Sequence, residues 1–193
     1  MNVGVLALQG DFVAHARALA SAGAEASLVR TADELARHEA LVLPGGESTA
    51  MLHALARGGL EPALRAFVSS GRPVLGTCAG AILLAREVRG SAQRSLAAID
   101  IAIERNAYGT QLDSFVCTAE TDDPRSEFAD LECVLIRAPR IVRVGSSVVV
   151  LARVKGEPAL VASGSVWAAT FHPELTIDAR VQRIWLRSAA SRA

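Results

Sequence analysis

Aromatic residues are scarce in this chain: Phe, Trp and Tyr make up 4% of its 193 residues, although 51% are apolar. The apolar content comes largely from Ala, Val and Leu, which suits parallel strands buried on both faces and covered by helices. No uninterrupted apolar stretch approaches the roughly 18–20 residues needed to cross a bilayer. Residues 2–8 carry no basic leader and run into Gln9-Gly10-Asp11, so they are expected to be a buried first strand rather than a signal peptide. There is also no excess of either charge, because 20 basic residues balance 20 acidic ones. That balance excludes the basic footprint of a nucleic-acid binder. Arg137, Arg140 and Arg143 recur on a strand-like stretch and are expected to form a solvated edge.

Cysteine is nearly missing as well. Three residues at no framework spacing argue for reduced thiols and a cytoplasmic setting. Cys117 and Cys133 lie in strand-like runs and are read as core or strand residues. Four scattered histidines and no Cys/His cluster predict no metal site, and nothing predicts a cofactor.

What is present is an alternation. Strands are predicted at 2–8, 24–29, 40–43 and 73–76. Helices are predicted at 11–22, 48–55, 61–70 and 79–87 and a short helix or turn at 31–38, with Phe12, Ala16 and Leu19 on the buried face of the first. Such βαβ units predict a mainly parallel α/β sheet with helices on both faces and right-handed crossovers. From about residue 98 the rhythm changes to short strands at 99–103, 114–118, 133–136, 141–144, 148–154, 159–162 and 166–170. These are expected to be antiparallel additions to the sheet, followed by a helix over 177–188. No repeat or linker is found, so residues 1–193 are expected to form a single domain.

Three short stretches carry chemistry. Gly76-Thr77-Cys78-Ala79-Gly80 follows an apolar strand and opens a helix, the form of a nucleophile elbow. The two glycines leave room for the tight turn, the helix N-terminus favours a thiolate, and the Ala79 N–H would face an oxyanion. An isolated cysteine is more often a small buried apolar residue, but the flanking glycines and the strand-to-helix context favour a nucleophile. His172-Pro173-Glu174 offers a base and an orienting carboxylate, placed on one side if the last strand continues through them. Pro44-Gly45-Gly46-Glu47-Ser48-Thr49 reads as a turn at the same carboxyl edge, where Gly46 could complete the oxyanion hole and allow its peptide to flip.

These stretches resemble the class I (triad-type) glutamine amidotransferases. More narrowly, they resemble the branch that forms the glutaminase subunits of pyridoxal 5′-phosphate synthase. The matching blocks are residues 8–11 (LQGD), 43–49 (LPGGEST), 76–80 (GTCAG), 104–109 (ERNAYG), 136–139 (IRAP) and 170–176 (TFHPELT), which span nearly the whole chain in order. The resemblance implies a flavodoxin-like sheet and hydrolysis of L-glutamine to glutamate and ammonia. Cys78 would be the nucleophile through a thioester, His172 the acid–base and Glu174 its orienting group. It further implies an oxyanion hole at Gly46 and Ala79, and glutamine binding by Gly46, Glu47, Ser48, Arg105, Ile136 and Arg137. The implied partner is a (β/α)8-barrel synthase subunit in a large hetero-oligomer, with contact expected at Gln9, Gly10 and Asp11. Thr110, Ser163-Gly164-Ser165 and Gln182 depart from the pattern. A glutaminase serving another synthase, or a non-catalytic relative of the same fold, are the alternatives.

Overall fold

The computed structural model describes residues 1–105 and 114–191. The first half runs β1 (Asn2–Leu6), α1 (Phe12–Ser21), β2 (Glu25–Val29), α2 (Ala32–Ala36), β3 (Ala40–Leu43), α3 (Ser48–Arg57), α4 (Glu61–Ser69), β4 (Val74–Thr77), α5 (Ala79–Leu84) and β5 (Ala85–Arg89). The second half runs β6 (Ile99–Glu104), β7 (Phe115–Thr118), β8 (Glu132–Leu135), β9 (Arg140–Val144), β10 (Val149–Val154), β11 (Glu157–Ser163), β12 (Val166–Ala169), a 3-10 turn (Pro173–Leu175) and α6 (Arg180–Ala190).

Seven strands form the central sheet in the order β10-β11-β12-β4-β3-β1-β2. From β12 to β2 all neighbours are parallel, and β11 and β10 extend one edge antiparallel. Successive side chains on a strand face opposite sides. On β3, Leu41 and Leu43 enter one apolar cluster with Met51, Leu55, Leu64 and Phe67 of α3 and α4. Ala40 and Val42 enter the other with Leu19 of α1 and Val181 and Trp185 of α6. Helices therefore cover both faces, as the run of aliphatic residues predicts.

Local chemistry sets the helix starts. Asp11 accepts from the Ala14 N–H and caps α1, and Thr31 with Glu34 forms a complete capping box on α2. Ser48 or Thr49 is the sequence expectation for the α3 cap, but Glu47 takes that place and accepts from the Thr49 and Ala50 N–H groups.

Three further expectations are corrected. The helix predicted over 79–87 ends at Leu84, and residues 85–89 turn into β5, which pairs parallel with β6. Only β10 and β11 add antiparallel strands to the main sheet, because β5-β6-β9 and β7-β8 form two separate small sheets. The buried face of α1 is wider than expected: Phe12, Ala16 and Leu19 do pack on one apolar cluster, but His15 and Ala18 are buried as well. Thr110 and most of the 104–109 block lie outside the described residues. Of the other departures, Ser163-Gly164-Ser165 forms the β11–β12 turn, and Gln182 is fully buried on α6.

Candidate active site

The carboxyl ends of adjacent parallel strands bring the sequence motifs together, as open α/β sheets commonly do. β12, β4, β3 and β1 are consecutive neighbours. Their ends lead respectively to His172, to Cys78, to the 44–48 turn and to residues 9–11. Ala169 is the register partner of Thr77, and the Cys78 N–H donates to Ala169 O at 2.8 Å, which ties the elbow to the strand that delivers His172.

Cys78 has φ 47° and ψ −104°, a conformation that non-glycine residues avoid, and it is 7% exposed. Such strain is held only where the surroundings determine it. Here a Cβ on Gly76 would come within 2.7 Å of Gly80 C and O, and a Cβ on Gly80 would run into the Leu43 carbonyl. Strand, elbow and helix are packed backbone to backbone. Gly45 is equally constrained, since a Cβ there would overlap the His172 ring and lie 3.3 Å from Cys78 Cβ.

His172 Nδ1–H donates to Glu174 Oε1 at 2.7 Å, and Cys78 lies near enough to the ring to act on its proton affinity. The pairing arises differently from the expected strand alternation. β12 stops at Ala169, and His172 begins the 3-10 turn Pro173–Leu175. That tight turn, not a pleat, folds Glu174 back onto its imidazole. The His172 N–H is held by Val134 O of β8 at 2.8 Å.

Both groups are buried, with Glu174's side chain only 1% exposed. Burial favours the neutral form of Glu174, but hydrogen bonds from His15 and His172, together with their charge, bring its pKa down to about 2. Burial likewise disfavours the imidazolium, but hydrogen bonds to Cys78 and Glu174 and their charges lift His172 to about 10. The lowered carboxyl stabilises the fold above pH 4.5 and loses that contribution as pH falls towards 2. The raised imidazole contributes below pH 6.5 and loses its share as pH climbs to about 10. Thermal melts of wild type and Glu174→Gln should therefore differ most between pH 4.5 and 6.5, converge as pH falls towards 2, and approach each other only in part as pH climbs to about 10. A Tm difference independent of pH would contradict these shifts.

A small cavity of about 60 Å³ opens beside the thiol, lined by Gly46, Glu47, Ser48, Cys78, Ile82, Arg105, Ile136 and Arg137. Every residue expected to bind glutamine meets there, and Ile82 joins them without having been expected. Arg105 reaches Glu47 Oε1 at 3.0 Å, Thr49 Oγ1 at 3.2 Å and Gln93 Oε1 at 2.8 Å, and Ser48 Oγ donates to the same Gln93 oxygen at 2.8 Å. Gln93 is a second unforeseen member, in a stretch with no motif to mark it. Of the three arginines expected at a solvated edge, Arg140 pairs with Glu104 and Glu157, and Arg143 with Asp100. Arg137 is exposed, has φ 45° and borders the cavity.

Gln9 Oε1 accepts from the Glu47 N–H at 2.5 Å, and a Cβ on Gly10 would run into the Gly45 carbonyl. Residues 9–11 thus rest on the 44–48 turn. Gly46, Gly10 and Asp11 are exposed, and the Asp11 carboxylate is engaged in capping α1. Ala79, the other expected oxyanion donor, follows Cys78 at the start of α5 and is buried. Among the described residues no group of three or more His, Cys, Asp or Glu could hold a metal ion, and no helix is long and apolar enough to cross a membrane.

Comparison with known proteins bears on this geometry. Residues 5–191 match the model of the SNO glutamine amidotransferase family. The chain belongs to that family. A pyridoxal 5′-phosphate synthase subunit PdxT from Koribacter versatilis is 50% identical over 187 residues, which cover 97% of this chain and 95% of that one. The PdxT subunit from Thermotoga maritima is 42% identical over 186 residues, covering 96% and 98%. A crystal structure of a glutamine amidotransferase superposes with a TM-score of 0.89 at 44% identity, covering 97% of this chain and 98% of that one. PurLQS from Thermotoga maritima superposes at a TM-score of 0.66 with 19% identity, a likeness of fold alone.

Proposed function

We propose that this chain is the glutaminase subunit of a pyridoxal 5′-phosphate synthase, a single domain that hydrolyses L-glutamine and passes the ammonia to a synthase subunit. The observation that carries the reading is the cavity at Cys78, where a nucleophile, two arginines and a glycine turn face one space beside the His172–Glu174 pair. In this reaction Cys78 passes its thiol proton to His172 and its sulfur attacks the side-chain carbonyl carbon of glutamine. The oxyanion is held by the N–H groups of Gly46 and Ala79. The C–N bond then breaks as His172 protonates the leaving nitrogen, which gives ammonia and a γ-glutamyl thioester. His172 next takes a proton from water, which attacks the thioester and releases glutamate and the thiol. Glu174 keeps the imidazole oriented throughout. Glutamine is held by the Gly46-Glu47-Ser48 turn, by Ile136, and by Arg105 and Arg137, whose guanidinium groups suit its α-carboxylate.

At about 60 Å³ the cavity beside the thiol is small. Arg105 is also already committed to Glu47. Both facts support a rearrangement of the 44–48 turn before turnover. We assign its trigger to docking of a (β/α)8-barrel synthase subunit against Gln9, Gly10 and Asp11, within a large hetero-oligomer. Channelling in such an assembly keeps ammonia from protonation by solvent. The described cysteines are free thiols, which fits a cytoplasmic setting. The test is to mix the chain with a candidate synthase subunit, pentose phosphate, triose phosphate and glutamine. Pyridoxal phosphate should form only with glutamine and both subunits present, and glutamine turnover should rise when the synthase is added. Maximal turnover by the chain alone, indifferent to the synthase, would overturn the docking step.

A further inference from the structure

A second histidine stands behind the carboxylate. His15 on α1 is 1% exposed, and its Nε2 lies 3.3 Å from Glu174 Oε1, the same oxygen that accepts from His172 Nδ1 at 2.7 Å. Nε2 is also 3.1 Å from Thr77 Oγ1, in the residue preceding Cys78. An ionised carboxylate can only accept, so Nε2 must carry the proton that faces it. His15 Nδ1 and Glu174 Oε2 have no hydrogen-bond partner among the described residues. A ring placed on the buried face of an otherwise aliphatic helix, with one nitrogen unsatisfied, costs stability unless its other nitrogen is needed.

We propose that His15 is a positioning residue of the glutaminase site, holding Glu174 ionised and fixed so that Glu174 can orient His172. This rests on the reading that Cys78, His172 and Glu174 hydrolyse glutamine. Glu174's side chain is only 1% exposed, which limits the water that could stand in for His15. Without that ring 3.3 Å away, the carboxylate keeps the full burden of burial with the His172 N–H alone to offset it, and its two oxygens become free to exchange places before His172. The ionisable groups facing Glu174 are His15 from α1 and His172 from the end of β12. Cys78 acts beyond His172, and Arg17 of α1 lines the adjoining cavity of about 330 Å³ while pointing to solvent.

The test measures glutamine turnover against pH for the full chain in complex with its synthase subunit. His15→Leu, which keeps bulk but no donor, should lower kcat by about tenfold or more, with KM within about twofold of wild type. Its acid limb should move to higher pH, because Glu174 becomes easier to protonate. His15→Gln, whose amide N–H can stand where Nε2–H stood, should recover most of kcat and the wild-type acid limb. If the leucine variant does not fold, His15→Asn, too short to reach Oε1, takes its place with the same expected outcome. A donor-less variant with a wild-type acid limb, or a glutamine variant no better than it, overturns the proposal. Cys78→Ala in the same assay separates the two levels. Turnover that survives Cys78→Ala would count against the glutaminase reading itself, whereas a silent Cys78→Ala beside an indifferent His15 series rejects only the role of His15.

Discussion

Cys78→Ala should lower glutamine turnover by at least about 10³-fold, measured as glutamate and ammonia release with the synthase present. The expected loss is large because the elbow is built around one atom. The strained backbone at φ 47°, the two glycines packed against Leu43 and Leu84, and the bond from the Cys78 N–H to Ala169 O all serve to hold that sulfur at the rim. His172→Asn should lose a comparable amount, since the nucleophile and its base act as a unit. Glu174→Ala should cost less, because it orients and does not react. A glutamine-like diazo-ketone should label Cys78 in the wild-type chain while sparing Cys133. Burial pushes the Cys133 thiol up to about 12, and it is fully enclosed. Turnover of Cys78→Ala at even a tenth of the wild-type rate would end the covalent mechanism.

Gly45→Ala is also expected to have a large effect, although no chemistry is assigned to that residue. A methyl group there would overlap His172 Cε1, come within 3.0 Å of its Nδ1 and touch Cys78 Cβ at 3.3 Å. Relief requires the imidazole to swing away from the sulfur or the 44–48 turn to lift off residues 9–10. Displacement of a reacting group by about 1 Å costs on the order of 10²-fold in rate, so kcat should fall by about that factor. The methyl meets none of the side chains assigned to hold glutamine among its three nearest contacts, so KM should change much less. Far-ultraviolet circular dichroism should remain that of wild type, because the atoms nearest the added carbon belong to His172 and Cys78, outside the strands and helices. Unchanged kcat in a folded Gly45→Ala protein would show that His172 does not work from the position seen here.

Much of this was legible from residue order alone. The aliphatic runs announce β1, β3 and β4 because a strand buried on both faces needs apolar residues at every position, not at alternate ones. Residues 85–87 look helical in sequence because Ala85-Arg86-Glu87-Val88-Arg89 alternates weakly and continues a good helical run. Its pairing with β6 is non-local and leaves no mark in a short window. His15 escaped notice for a related reason. On a helix with apolar residues on several sides, small rotations decide which face is buried, and the packing of α1 against the 3-10 turn buried His15 as well. Gln93 was invisible because no local pattern distinguishes a glutamine in a loop from one that braces Arg105 and Ser48.

Residue order by itself therefore determined which elements form, where the glycine turns fall, and which side chains are equipped for acyl transfer, because propensity, capping and steric permission act over a few neighbours. Only the assembled sheet decided that β12 lies beside β4 and β4 beside β3, and so that His172, Cys78 and Gly45 touch. Only that assembly placed a second imidazole against Glu174. Burial, shared hydrogen bonds and shifted proton affinities are properties of groups far apart in the chain, and they exist only once the strands have closed the distance between them.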